Sequence, residues 1–449
     1  MARLHWRQHA VWIVWIAAIW IMVAVGKGAT ATTPPRPPTA PLLQALAVAQ
    51  EARLTRPAGG GSFDSFGRAI AGDGNTAVIG AYNATVGTTD LQGTAFVFAR
   101  TGAMWSLQQT LTASDGMANE RFGQAIALAG DTLIIGASGS DLLENVRSGA
   151  VYVFTRTGDT WTEQQKLTAS DSNPRDFFGS VVALDGDTLV VGAPSTDVGG
   201  AMQPGAAYVF TRSNGEWSQQ QKLVPNVSNP RDFFGAAVAI DGNTVVVGST
   251  GGDVNGAEDQ GAAYVFTRIG TAWSQQQQLL ASDGKAGDRF GGDVAVQGSM
   301  VVVGATGGTA LGEPIAGAAY VFTRNGATWS EQQRLAAPEP ELRDFFGRGL
   351  ALQGDLLAIG AYGTDAGENA LQGAVHLFTR QAGAWNHQQR ITTNDGLAGT
   401  GFGIDLDFTG NTLLVGAYAG TVGGNANQGA AYIFRVRRQV YLPLIVRGP

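Results

Sequence analysis

Phe178-Gly179-Ser180-Val181-Val182-Ala183-Leu184-Asp185-Gly186-Asp187-Thr188-Leu189-Val190-Val191-Gly192-Ala193-Pro194 is the stretch whose reading decides the fold. Phe178 to Leu184 is a short apolar run, and Asp185-Gly186-Asp187 is a tight turn in which Gly supplies the positive φ. Thr188 to Gly192 is β-branched and apolar, so the two runs predict a β-hairpin. A Gly-rich loop follows from Ala193 to Pro204. Gly205 to Arg212 then alternates, with Tyr208 and Phe210 on one face. Ser213 to Glu216 turns the chain, and Trp217 to Leu223 is a fourth strand rich in Gln.

The same unit recurs on both sides. Phe-Gly stands at Phe66, Phe122, Phe178, Phe234, Phe290, Phe346 and Phe402, every 56 residues without a slip. Trp105, Trp161, Trp217, Trp273, Trp329 and Trp385 keep that period, and Tyr441 takes the seventh slot. The other four Trp lie within the first twenty residues, so the six periodic ones read as packing positions. An unbroken period means one repeated structural unit. Four antiparallel strands, seven times over, predict an all-β chain folded as a seven-bladed β-propeller with one repeat per blade. A β-solenoid coil usually has a shorter period, roughly 20–30 residues, and no segment shows the 3.6-residue apolar period of helical repeats. In the first strand Ala71, Ala127, Ala183, Ala239, Ala295 and Ala351 occupy one slot, and the next slot is large in most repeats (Leu128, Leu184, Ile240). Small residues beside large ones suit an innermost strand, where blades converge. The fourth strand carries Gln108-Gln109, Gln164-Gln165 and Gln220-Gln221, as expected of an outer edge that must not pair with other molecules.

Phe-Gly opening the first strand and Gly192-Ala193-Pro194 closing the second resemble the FG-GAP repeats of integrin α-chain propellers. The sibling motifs Gly80-Ala81-Tyr82, Gly136-Ala137-Ser138 and Gly248-Ser249-Thr250 are relaxed. That drift, with the Trp-x-x-Gln-Gln strand, is similar to the bacterial exported branch of the family. The resemblance implies a propeller over 48–436 that binds ligands through loops on one face. Integrin-type repeats often bind Ca²⁺ in an Asp-rich loop between the first two strands. Here that connection is as short as Asp73-Gly74-Asn75 or Gln297-Gly298-Ser299, too tight to wrap an ion, so the calcium sites are not carried over.

The ends read differently. Arg3 and Arg7 precede an uncharged apolar run from Ala10 to Val25, and Ala29-Thr30-Ala31 is a small-x-small cleavage motif. Residues 1–31 therefore read as a signal peptide, with an uncleaved anchor as the alternative. Residues 32–47 read as a Pro-rich linker, and 437–449 as a C-terminal strand or tail. One terminus should complete the last blade. Gln50-Glu51-Ala52-Arg53-Leu54-Thr55 resembles the fourth-strand segment Glu163-Gln164-Gln165-Lys166-Leu167-Thr168. Val440 to Val446 is the rival, disfavoured because Pro443 lacks a ladder N–H. The net charge is −7, and it falls to −10 without residues 1–31, which argues against nucleic acid and anionic membrane as partners. There is no Cys, so disulfides, Cys-based metal sites and thiol nucleophiles are excluded. The expected chain is a secreted or cell-surface monomer.

Chemistry is sparse. His376 stands in the slot of Tyr152, Tyr208, Tyr264, Tyr320 and Tyr432, and His387 in that of Glu163, Gln219 and Glu331. Both read as scaffold, no triad is plausible, and no catalytic residue or cofactor is expected. Acids two residues before six of the seven Phe (Asp64, Glu120, Asp176, Asp232, Asp288, Asp344; Thr400 is the exception) and Arg residues ending the third strand read as loop bonding or ion pairing. Function is expected where blades differ. The residue after Gly-Ala is Tyr in repeats six, seven and one: Tyr362, Tyr418 and Tyr82. This aromatic arc would lie opposite an acidic arc of Asp141, Asp197 and Asp253, and these six are the candidate ligand-binding residues. Exposed aromatics on a rigid rim suit sugar rings or a protein partner. Asp405 and Asp407 share one face of the seventh first strand, where two carboxylates need an Arg partner, exposure at the channel or a cation. They are weak metal candidates; no metal is otherwise expected. The resulting expectation is a binding or adhesion module for a protein or carbohydrate. The alternatives are a polysaccharide-active hydrolase or lyase using carboxylates on the same face, and a purely structural envelope protein.

Overall fold

The computed structural model describes residues 43–57, 60–139, 147–308, 315–367, 369–393, 395 and 398–441. The expected leader, the start of the linker, Asp141 and residues 442–446 of the rival C-terminal strand lie outside them.

Seven four-stranded antiparallel sheets follow one another along the chain. In blade one the strands are Phe66–Asp73, Thr76–Ala81, Thr94–Thr101 and Met104–Leu111, from the axis outward. Each Phe of the Phe-Gly pairs forms a parallel bridge with the glycine that precedes the third strand of the blade before it. The series runs from Gly93–Phe122 to Gly373–Phe402, and Gly429–Phe66 closes the ring. All seven Phe are fully buried. Phe178 meets Tyr208 and Phe210 edge-on at 5.5 and 5.9 Å. Each such ring contributes roughly 2–3 kcal/mol of apolar burial. The following Gly is obligatory. Gly235 has φ +92°, and a Cβ there would lie 2.3 Å from the Ala206 carbonyl oxygen of the preceding blade. The cores lie between blades: Val78 and Val97 of blade one pack with Phe122, Leu133 and Trp161 of blade two.

The outer strand is not merely a polar edge. Gln109 Nε2–H donates to the Trp161 carbonyl (2.8 Å), and the Trp161 N–H donates to Gln109 Oε1 (2.8 Å). Gln165–Trp217, Gln221–Trp273, Gln277–Trp329 and Gln333–Trp385 repeat this two-bond clasp. The Gln strand therefore pairs with its neighbour, through side-chain amides that mimic a peptide group. The recurring Arg residues lie over the Trp rings, as Arg156 does over Trp161 at 5.2 Å. Their acid partners sit in the inner turn: Arg156 donates to Asp131, Arg212 to Asp187 and Arg380 to Asp355. The buried acid before six of the seven Phe instead accepts the N–H three residues back, as Asp176 does from Asn173 (2.8 Å).

The last blade is completed from the N-terminus, as favoured from the sequence. Strand Leu43–Thr55 lies outside Ala430–Tyr441, with Thr412–Ala417 and Phe402–Thr409 further in. The strand begins inside the stretch read as linker, and Ala430–Tyr441 runs past 436 into the expected tail. No hairpin joins these two strands, so nothing limits their pairing to eight residues as in other blades. At this seam Ala52 stands in the slot of the clasping Gln, and Trp105 is only half-buried. An ion staple replaces the clasp: Glu51 accepts from Arg100 of blade one (2.6 Å) and Arg435 of blade seven (2.9 Å).

Candidate functional site

The inner strands surround an axial cavity of about 520 Å³. The inner strands edge the axis; period-two alternation turns the residues three and five after each Phe toward the next blade and the one between them toward the preceding blade, and the residue two after each Phe stands nearest the Phe-Gly end. In ring order this opening layer is Arg68, Gln124, Ser180, Ala236, Gly292, Arg348 and Ile404, all on the cavity wall. Three short residues on blades three to five, Ser180, Ala236 and Gly292, face two arginines on blades one and six.

Three carboxylates line the same wall: Asp293, Asp405 and Asp407. Their partners are backbone N–H groups of the next blade. Ile70 N–H donates to Asp405 Oδ2 (2.8 Å), Gly72 N–H to Asp407 Oδ2 (2.6 Å) and Leu350 N–H to Asp293 Oδ2 (2.8 Å). The second oxygens of Asp405 and Asp293 accept from Leu406 and Val294 N–H. Inner strands leave one row of N–H groups unpaired, and an acid two atoms beyond its own backbone reaches them. One turn lower the same device recurs in most blades: Asp185 takes Gly242 N–H (2.6 Å), and Thr409 takes Gly74 N–H (2.7 Å). The turn acids thus join blades. Burial pushes Asp407 and Asp293 up to about 7 and raises Asp405. So Asp405 and Asp407 are partnered by backbone rather than by a direct arginine bond. Among the described residues no three His, Cys, Asp or Glu converge as a metal set.

Tyr82, Tyr362 and Tyr418 are half-buried, on three consecutive blades of the closed ring. Tyr362 stacks on Phe345 at 5.0 Å and 10° between planes. Tyr418 lies over Gly401, where a Cβ would come within 2.7 Å of its ring. The arginines belong to this group. Burial and then the like charge of Arg348 lower the Arg68 pKa, opposed by Asp405, Tyr82 and Tyr418. Burial raises Tyr362, against the cations Arg348, Arg68 and Arg289. No hydrogen bond or ion pair reaches either guanidinium from the described residues.

The acidic loop residues are placed elsewhere. Asp197 accepts Gln203 N–H (2.8 Å) and Asp253 accepts Asp259 N–H (2.9 Å), each fastening its own exposed loop, and neither lines the axial cavity. His376 is buried edge-on to Phe346, with Nδ1 3.1 Å from His387 Nε2; burial pushes it down to about 3. Arg68, Arg348 and Asp293 are the wall residues that the sequence reading missed. Each is a departure in a slot otherwise short or uncharged, visible on the 56-residue grid once the first strand is known to face a cavity.

The family comparison fits this architecture. The family model described as FG-GAP repeat matches seven segments, 48–98, 105–154, 161–210, 217–266, 273–322, 329–378 and 385–434. No curated protein matches the chain. A solved structure similar to it is the Saccharomyces cerevisiae Sqt1, at 11% identity and a TM-score of 0.48, covering 86% of this chain and 99% of that one.

Proposed function

This chain belongs to the FG-GAP repeat family, and on that premise we propose that it is an extracellular binding or adhesion module for a glycan or protein, with its site at the axial mouth. One observation carries the reading. Tyr82, Tyr362 and Tyr418 sit on the same three consecutive blades as Arg68, Arg348, Asp405 and Asp407, beside a cavity of about 520 Å³. The tyrosines do not line the cavity itself, whose wall is aliphatic with two arginines and three carboxylates; concave sites with a few convergent polar groups are where small ligands bind. Secretion or cell-surface display follows the family's usual setting and the N-terminal leader reading.

A glycan and protein-surface array probed with the purified chain tests this. Replacing Tyr82, Tyr362 and Tyr418 together by Ser should abolish whatever binding is found; unchanged binding sinks the assignment. The enzyme alternative keeps one specific support, the raised carboxylates Asp293 and Asp407 beside Arg348 and Asp405 in one cavity. Measured turnover of a polysaccharide, lost in Asp293→Asn, would replace the binding reading with that one.

A further inference from the structure

Arg68 and Arg348 flank blade seven from either side, on the wall of the axial cavity. Two guanidiniums within each other's field repel, and both are half-buried, so an anion placed between them would relieve the repulsion. These two have no hydrogen-bond or ion-pair partner among the described residues. The nearby carboxylates do not fill that role directly. Asp405 and Asp293 each use both oxygens on backbone N–H groups, and Asp407 lies deeper, on Gly72. Those acids moderate the local field without occupying the planar donor forks. Across the mouth, Ser180, Ala236 and Gly292 leave space in front of both arginines.

On the reading that the mouth is the binding site, we infer that Arg68 and Arg348 grip the carboxylate of an acidic sugar residue whose ring lies against the tyrosine arc. A guanidinium fork matches a carboxylate with two parallel N–H···O bonds. Tyr82, Tyr362 and Tyr418 stand outside the cavity lining, half-buried on the same three blades as the two arginines and blade seven between them. A cavity of about 520 Å³ suits one or two sugar rings. A protein ligand needs a broad contact, roughly 800 Å² per partner. Among the described residues none of the large exposed apolar side chains lines this cavity.

Titration calorimetry of the full chain at low salt tests the inference with three probes. They are a short oligogalacturonate, the same oligosaccharide with its carboxyls reduced to alcohols, and a poly-aspartate peptide. The acidic sugar should bind about tenfold or more tighter than its reduced form. Added salt should shrink that preference. Arg68→Gln with Arg348→Gln should erase it while the melting curve is kept. Arg68→Lys with Arg348→Lys retains the charge without the forks, and should give a preference several-fold smaller than wild type even if the Gln pair fails to fold. Equal affinity for acidic and reduced sugars overturns the carboxylate assignment and leaves the tyrosine reading standing. Tightest binding to the peptide overturns it in favour of a protein ligand. Loss of all binding in the tyrosine triple variant, with no response to either arginine pair, also overturns it. Failure of every probe and of the array together removes both readings.

Discussion

At the outer rim, Gln109, Gln165, Gln221, Gln277 and Gln333 hold the next blade's Trp backbone with the same two hydrogen bonds. At the axial mouth, 56-residue relatives read Arg68, Gln124, Ser180, Ala236, Gly292, Arg348 and Ile404, with no two neighbours alike. Both regions come from one repeat. The rim side chain faces the next blade, so any change breaks a junction. The mouth side chain borders the cavity rather than a repeated junction, so it varies at little expense of stability and is free to serve a ligand. Repetition marks the scaffold, and departure from it marks the site.

The comparison can be broken most forcefully at the seam. Removing residues 43–55 strips the outer strand of blade seven and the Glu51 staple to Arg100 and Arg435. Cooperative thermal unfolding should be lost or shifted far down, because a ring opened at one seam loses packing on both sides of it. A truncated chain that melts like the full one would contradict the closed ring.

A pair of glycine substitutions sharpens the contrast. Gly235→Ala places a Cβ 2.3 Å from the Ala206 carbonyl at φ +92° and should cost about 3 kcal/mol or more in denaturant unfolding. Gly292→Ala at the mouth meets nothing nearer than 3.4 Å and should change stability by less than about 0.5 kcal/mol. Equal costs would erase the distinction between scaffold and mouth.

An effect smaller than the Gly235 cost is pH-dependent. Burial raises Asp407 from 3.8 to about 7, with Asp405 and Asp73 adding to the rise and Gly72 N–H opposing it. The folded state therefore binds the proton more tightly than the unfolded chain. Its contribution is fully present below about pH 4 and is lost as pH rises through 7. Asp407→Asn removes this dependence. Relative to wild type it should gain about 1–2 kcal/mol between pH 4 and pH 8 in a channel open to water. Parallel pH profiles of the two proteins would show that Asp407 is not held in this way.

Most of the ring was legible before any coordinates. Phe178-Gly179, the Asp185-Gly186-Asp187 turn and Trp217 state one blade completely, because local turn chemistry and strand alternation are short-range properties. Contacts between blades were not. Gln165 reaches Trp217, 52 residues on, and Asp405 reaches Ile70 across the closure, 335 residues apart in sequence. No local pattern encodes such partners. The tyrosine arc stood out because Tyr replaces Ser, Pro or Thr in its slot. Arg68 and Arg348 did not, since six residue types over seven repeats of their slot look like surface drift until a cavity is seen behind them.

The central claim is that ligand binds at the axial mouth and not at the rim. Ala236→Trp plugs the mouth from the side opposite the arginines, and Ser218→Trp adds the same bulk to an exposed outer strand. Measured against the ligand found on the arrays, the plugged protein should lose binding while the rim variant keeps it, with both melting like wild type. Full binding by the plugged protein, or its loss in the rim variant alone, would contradict the account.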